Sequence, residues 1–532
     1  MRGHFIKVLK GAAGICALLE FCAPAFADDA AIARRLDQMQ KMIERQQGQI
    51  EAQRKEISDL TRALKPASAP MPPAPPPTSA PVVETRLKQQ DQKIESLVAK
   101  FAAQTDAQRL ATQDMPKTSI ANGRLMVTSS DGRFSASLRM TMQYDMAYFM
   151  QPATSRNLAA ANGPDLSSGA NFRRAQIGLQ GNVFGDWSYA AIVDFGGGGV
   201  ETPGSIRRMI VDYNGVPDWT FRLGASSPPA GLADATAGGD MLFLERGSAA
   251  DVQRAMAGGV RETASIIYAG RNLYGALSVS GGKVQEAGAF DEQLAVVGRV
   301  GYTLYTDKDT RFVISSAVTD IVRGPDQTAA ANSPRLITFA SSPELAVDTQ
   351  AIKLVSAGAL NVDNAWAVNL ESGITWRSFY AQGGYFKFGV KDRASSNAYG
   401  FGGYYLEASY LLTGERHGWN PGNAVFTGPR PGHNFGEGGI GAWEIAARYS
   451  NMDFNDHPGM AGSAMPVDGV RGGTQDIATL GVNWYINPVV KFTLQGQDVT
   501  VHRLGTLGTP AIADTEVGQH FQAVALRSQV TF

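Results

Sequence analysis

Val524-Ala525-Leu526-Arg527-Ser528-Gln529-Val530-Thr531-Phe532 closes the chain. Val524, Leu526, Val530 and Phe532 share one parity, and Arg527, Gln529 and Thr531 share the other. A period of two gives a strand one apolar and one polar face. Any half-buried strand reads this way, so the weight lies in the recurrence of the pattern. Phe134, Ala136, Leu138, Met140, Met142, Tyr144, Met146 and Tyr148 alternate against Ser135, Ser137, Arg139, Thr141, Gln143 and Asp145. Trp187, Tyr189, Ala191, Val193 and Phe195 form another apolar face, as do Leu480, Val482, Trp484 and Ile486. Aromatic residues gather toward the strand ends, as in the girdles of a barrel at a membrane interface.

The 532 residues are 44% hydrophobic with a mean hydropathy of -0.15, too polar for a bundle of membrane helices. Beyond the leader there is no apolar stretch of 18 residues, which leaves strands as the means of crossing a bilayer. Residues 120–532 at about 25 residues per strand and connection predict an all-β transmembrane barrel of about 16 antiparallel strands. Stretches 151–171, 325–334 and 452–474, rich in Gly, Asn, Pro and Ser, read as its loops. The near-neutral balance of 48 basic and 49 acidic residues excludes the basic excess of a nucleic-acid binder.

The first 27 residues read as a signal peptide. Arg2, Lys7 and Lys10 precede an apolar run, and Ala25-Phe26-Ala27 is a small-residue cleavage site. Both cysteines, Cys16 and Cys22, lie within it, so no disulfide is expected afterwards. In 28–65, Leu36, Ile43, Ile50, Ile57 and Leu64 share one heptad position, and Ile32, Met39, Gln46, Gln53 and Leu60 share another, predicting an N-terminal α-helical coiled coil. Residues 66–81 hold eight prolines and form an extended spacer. A second short coiled coil and linker over 82–119 leads to the barrel.

Four segments carry a resemblance. Asn171-Phe172-Arg173-Arg174-Ala175-Gln176-Ile177-Gly178-Leu179 is followed by Phe184-Gly185-Asp186-Trp187 and Asp194-Phe195. Ser409-Tyr410-Leu411-Leu412-Thr413-Gly414-Glu415, Gly441-Ala442-Trp443-Glu444 with Arg448-Tyr449-Ser450, and Asn483-Trp484-Tyr485-Ile486-Asn487-Pro488 come after it in order. Together they resemble the phosphate-selective porin O/P family over about residues 124–532. The resemblance implies an outer-membrane homotrimer of 16-stranded channels, anion-selective in many members, with lumen arginines and a third loop folded inward. It implies passage of inorganic ions such as phosphate, with outer-membrane lipid as the other partner.

Alternation places Ala175, Ile177, Leu179 and Val183 toward lipid and Arg174 toward the lumen with Gln176, Gln180 and Asn182. Met209, Val211 and Tyr213 likewise face lipid, and Arg208 faces the lumen with Asp212 and Asn214. Arg207 lies one hairpin after Arg173, so two Arg-Arg pairs occur at one phase. Stacked guanidiniums in a pore replace the hydration of a passing anion. By the resemblance, Arg174 lines the pore, with Arg208, Arg173, Arg207 and Arg139. Strict alternation leaves a second place for Arg173 and Arg207, snorkelling to the interface or pairing with acidic neighbours.

Residues 221–254 resemble the inward loop, with Met241-Leu242-Phe243-Leu244-Glu245-Arg246 the closest segment. Phosphate-selective members carry a constriction lysine, and this chain has none between Lys117 and Lys283. It offers Asp234 and Asp240, with Glu245 and Arg246 paired or bonded to the wall. Free carboxylates in a narrow eyelet favour cations, so a general or cation-leaning channel is the competing expectation. A structural alternative has the coiled coil contact the cell wall and tether the envelope, with the barrel as its anchor. Catalytic signals are weak: the five later histidines show no metal-ligand spacing and no cofactor motif is present. A barrel-borne hydrolase would draw on His417 or His433.

Overall fold

The computed structural model describes residues 115–532 except 122, 152–164, 198–203, 258, 285–289, 348–351, 396 and 506–517, together with several residues between 88 and 103. The latter are helical and exposed. The signal peptide, the coiled coil of 28–65 and the proline spacer of 66–81 lie outside the described residues.

The strands follow one another almost without interruption. A short hairpin comes first, β1 (Lys117–Ala121) and β2 (Arg124–Thr128), then β3 (Ser135–Met150), β4 (Gly169–Val183), β5 (Trp187–Asp194), β6 (Ser205–Tyr213) and β7 (Trp219–Ser226). A segment at 227–260 carries two helices, α1 (Leu232–Ala235) and α2 (Ser248–Ala257). After it come β8 (Arg261–Ala269), β9 (Leu273–Lys283), β10 (Leu294–Thr306), β11 (Thr310–Arg323), β12 (Leu336–Ser341), β13 (Val355–Trp376), β14 (Phe379–Asp392) and β15 (Ala398–Leu411). The last group is β16 (Gly418–Asn420), β17 (Val425–Thr427), β18 (Ala442–Asp456), β19 (Val470–Tyr485), β20 (Val490–His502) and β21 (Gln519–Thr531).

Sixteen of these close a barrel; β1, β2, β12, β16 and β17 stand outside the ring. Every neighbour is antiparallel, and closure comes from β21 on β3, with Leu526 opposite Met146. Phe532 exchanges two backbone hydrogen bonds of 3.0 Å with Met140, so the C-terminal residue finishes the seam. Closure removes the edges whose unpaired amides no bilayer could satisfy. β2 pairs with Ser135–Ser137 of β3, just beyond that seam.

Alternation decides which face meets lipid. Ile177, Leu179, Met209, Val211, Leu223, Leu277, Val300, Leu406, Leu480 and Leu494 all point outward and are exposed. The inward positions are polar or lie beneath inserted loops. At the end with short turns the outer face carries an aromatic belt: Trp187 against Tyr213, Trp219 against Tyr268, and Trp443 stacked on Trp484. Such belts mark the level of the lipid headgroups. The predicted loop at 452–474 is shorter than its composition suggested, because β18 runs to Asp456 and β19 begins at Val470. Asn451, Asp453, Thr474 and Asp476 occupy outward positions there. The hydrophobic period fades above the apolar band while the hydrogen-bond ladder continues. For the same reason β4 begins at Gly169, inside the predicted loop 151–171.

Two segments enter the barrel from opposite ends. The segment 227–260 folds in from the loop end. Val252 and Met256 of α2 are buried with Ala249 and Ala250 in a cluster that includes Phe386, Phe388, Phe401, Tyr405 and Met452 of the β14–β18 wall. From the turn end, 412–441 carries the β16–β17 hairpin inward. Its Phe426 is buried with Leu242, Phe243, Val313 and Tyr380.

Candidate functional site

Both Arg-Arg pairs sit at β-bulges. On β3 and β4, Gln143 faces Arg174 while Tyr144 faces Phe172, so Arg173 is the extra residue. On β5 and β6, Ile192 faces Arg208 while Val193 faces Ile206, so Arg207 is the extra residue. An inserted residue breaks the period of two and re-aims a side chain. Arg173 therefore reaches Glu245 inside the barrel, with Nε and Nη2 donating over 2.6 and 3.0 Å. Arg207 lines the interior and donates to the Ser227 hydroxyl at 3.1 Å. The snorkelling position that strict alternation allowed for these two residues is thus corrected. Asp194 braces the first bulge by accepting from the Ala175 and Gly196 amides and from the Gln176 side chain.

The run 238–245 is stitched to the wall by its backbone. Gln143 and Gln529 donate to the carbonyls of Gly238 and Gly239, each at 3.0 Å. Lys491 donates to Met241 at 2.7 Å and Asn483 to Leu242 at 3.0 Å, while the Leu244 amide donates to Gln495 at 2.9 Å. Arg527 donates to Leu244 and holds Asp145 bidentately, both bonds 2.6 Å. The lysine that meets this loop is thus one of β20, 250 residues later in the chain, and it binds the loop backbone.

The carboxylates near this loop are engaged. Glu371 accepts the amides at the start of α1, from Leu232 and Ala233, and the Tyr405 hydroxyl. Glu344 accepts the amide and hydroxyl of Ser248 at the start of α2 and pairs with Arg448. Asp234 pairs with Arg254 and accepts the Ala230 amide at 3.1 Å. Asp240 accepts the Gly428 amide at 3.0 Å, from the segment entering at the turn end. Burial works against the charge of Glu245, but Arg173, Arg174 and Arg527 outweigh it and hold that carboxyl well below its ordinary range. Burial also opposes ionisation of Asp234, and Arg254 and Arg246 pull its pKa below ordinary. For Asp240, burial wins over its partners and the pKa is raised. Arg246 spends its donors on the carbonyls of Ala233, Asp234 and Thr236. Asp234 and Asp240, on which the cation-leaning expectation rests, thus each hold a protein partner.

Inside the barrel, toward the turn end, lies a cavity of about 600 Å³. Its lining holds ten basic side chains: Arg124, Arg139, Arg174, Arg207, Arg208, Arg222, Arg246, Arg254, Arg430 and Lys491. Asp234 and Asp240 are its two acidic residues. Arg139, Arg174, Arg207 and Arg208 are thus brought to one cavity, while Arg173 faces a smaller one among the loops. That second cavity, about 180 Å³, is lined by Arg173, Arg246 and Lys353 against Glu245, Asp251 and Glu344. Sequence reasoning missed Arg124, Arg222, Arg254, Arg430 and Lys491. The inward parity of Arg222 and Lys491 was an available signal; the others lie in connections or on the edge hairpin, where no period applies.

His417 is buried, its Nε2 2.6 Å from Glu444 and its Nδ1 3.1 Å from the Thr427 carbonyl. Ser409 donates to that same Glu444 oxygen at 2.6 Å. In an acyl-transfer triad the serine and the acid bind opposite ring nitrogens; here both meet Nε2. The constellation anchors the segment 412–441 to β15 and β18.

A closed sixteen-stranded barrel with an apolar outer band and a polar, loop-narrowed interior defines a porin of the outer membrane. A profile for the family described as phosphate-selective porin O and P matches residues 142–532, and the chain belongs to that family. It is 27% identical over 425 residues to Porin O of Pseudomonas aeruginosa, covering 75% of this chain and 90% of that protein. Among solved structures it is similar to an anion-selective porin from Comamonas acidovorans, at 13% identity and a TM-score of 0.42, covering 75% of this chain and all of that one. It is likewise similar to a loop-deletion form of OmpT from Vibrio cholerae, at 8% identity and a TM-score of 0.45 with the same coverage. The chain is a channel-forming protein of the outer membrane, not built on an enzyme family.

Proposed function

We propose that the protein is a passive channel for small anions, with inorganic phosphate among its solutes. The observation that carries this reading is the lining of the inner cavity, ten basic side chains against two tied-down carboxylates. In a narrow water-filled space with low-dielectric walls, such an excess concentrates anions and repels cations. Arginine suits the task because its planar fork stays charged and matches oxyanions bidentately. Membership of a family described as phosphate-selective points the same way. We further propose a homotrimer, with the heptads of 28–65 in the periplasm promoting association. Contact of that coiled coil with the cell wall belongs to the same proposal.

The test is the reversal potential of the purified full-length protein in a planar bilayer under a KCl gradient, repeated with added phosphate. The expected result is a potential of the sign set by chloride, with current reduced by phosphate. A potential of the sign set by potassium overturns the reading in favour of a cation-leaning channel.

A further inference from the structure

We propose that the anion-selecting site of this channel is not the Arg173–Arg174 motif at the inserted loop. It is the group behind it toward the turn end, Arg139 and Arg208 with Arg124, and its ligand is a compact oxyanion such as inorganic phosphate. This rests on the anion-favouring reading above and locates the site within it.

The motif arginines are already occupied. Arg173 gives two donors to Glu245, and Arg174 gives one to Gln143 and lies 3.9 Å from the same Glu245. Glu245 also lies 3.3 Å from Arg527. A carboxylate held by three guanidiniums cancels much of the field a passing anion would feel.

Arg139 and Arg208 differ. Among the described residues neither makes a hydrogen bond or an ion pair, and both line the inner cavity. They share one cross-strand row: Arg139 faces Gly178, Gly178 faces Ile192, and Ile192 faces Arg208. Gly178 has no side chain and Ile192 carries no charge, so nothing on the row competes for the two forks. The nearest acid on β6, Asp212, is held bidentately by Arg222 at 2.8 Å. Arg124, on the β1–β2 hairpin, has a buried Nε without a partner among the described residues. Forks that face a cavity with no protein acceptor are left to water or to an anion, and an oxyanion offers them the stronger, charge-assisted bond.

The row also gives the channel a polarity. Arg139 stands four residues nearer the turn end of β3 than Gln143, which is level with Arg174. The cavity toward the loops balances three basic residues against three acidic ones. An oxyanion should therefore bind more readily from the turn side, which in outer-membrane barrels is the periplasmic side.

The experiment compares three forms of the full chain in planar bilayers: wild type, Arg139→Gln with Arg208→Gln, and the charge-neutral pair Arg173→Gln with Glu245→Gln. Each is probed with inorganic phosphate added to one side and then to the other. Removing the inner pair is expected to raise the half-blocking phosphate concentration by about tenfold or more, as loss of charge-assisted hydrogen bonds requires. The motif pair is expected to shift it by less than about threefold, within the range of an indirect electrostatic change. Wild-type block is expected to differ between the two sides. A larger effect from the motif pair, or equal block from both sides, overturns the assignment. Wild type without anion preference overturns the functional reading itself; anion preference indifferent to the inner pair overturns only the location. Strand content by circular dichroism and heat-dependent migration of the detergent-solubilised protein, both as in wild type, show that the variants have folded.

Discussion

The β13–β21 wall and the β3–β7 wall carry charge for opposite purposes. On the former, Glu371 and Arg527 are bound on every side, to loop amides, carbonyls, tyrosine hydroxyls and partner charges. On the latter, Arg139 and Arg208 face the cavity without a hydrogen-bond or ion-pair partner among the described residues, with Asp240 and Asp212 the carboxylates that act on them from a distance. Charge in a low-dielectric interior is costly unless it is paired. Where charge holds the inserted loop, that cost is offset within the protein. Where it is left without a protein partner, it is solvated by the water of the cavity and open to an anion that passes through.

The sharpest way to break this contrast is to remove one arginine from each wall. Arg527→Gln leaves Asp145 buried and its charge uncompensated, and loss of one partner of a buried pair costs about 3–5 kcal/mol. Arg139→Gln removes no hydrogen bond, and the repulsion from Arg124 that it relieves offsets the attraction to Asp240 that it loses, so stability should stay within about 0.5 kcal/mol. Denaturant unfolding of the refolded protein in detergent measures both. Similar losses in the two variants would show that Arg139 is structural and erase the distinction.

Glu371→Gln tests the holding wall more gently. The glutamine keeps the volume and one acceptor oxygen, but loses the charge that receives the Leu232 and Ala233 amides. Hydrogen bonds to a charged group contribute about 1.5–3 kcal/mol, so the start of α1 should loosen. The expected readout is faster protease cleavage within 227–260 and a larger or noisier single-channel conductance, with the barrel itself intact. Unchanged cleavage and conductance would mean that the apolar packing of α2 alone holds the loop.

How far the sequence reaches follows the same physics. The barrel was legible because lipid enforces alternation on the outer face of every strand, from Met140 to Leu526. The bulges were not, because a period of two has no place for an extra residue. Alternation alone would turn Arg173 and Arg207 outward, where the resemblance put them in the pore, and the bulges are what carry them inward. The hint was present: a second arginine on an apolar face is expensive in lipid, and each sits directly beside an inward one. The composition of the inner cavity was the least legible part. Arg124, Arg254, Arg430 and Lys491 come from a hairpin, two inserted segments and a strand near the end of the chain, and only closure brings them together. The partners of the carboxylates were hidden for the complementary reason. Asp234 and Asp240 look free in a loop, and the partners that engage them, Arg254 and the Gly428 amide, are 20 and 188 residues away.

The smallest expected effect uses one of those carboxylates to sharpen the contrast. Burial raises the pKa of Asp240, whereas Asp234 and Glu245 are held below their ordinary range by arginines. As pH falls from neutral, Asp240 is therefore the first of the three to take a proton. An acid whose pKa is raised loses its charge early, so the inner cavity gains one positive unit while the pairs at Asp234 and Glu245 stay ionised. Anion preference should rise as pH drops through the upper carboxylate range, by a modest factor because one charge joins an excess of about eight. Asp240→Asn should fix the wild type in its low-pH state and flatten the profile, which reversal potentials taken across the acidic range would show. A variant that keeps the wild-type slope would place the titrating group elsewhere on the cavity wall, and the contrast between engaged and unengaged charge would have to be redrawn around it.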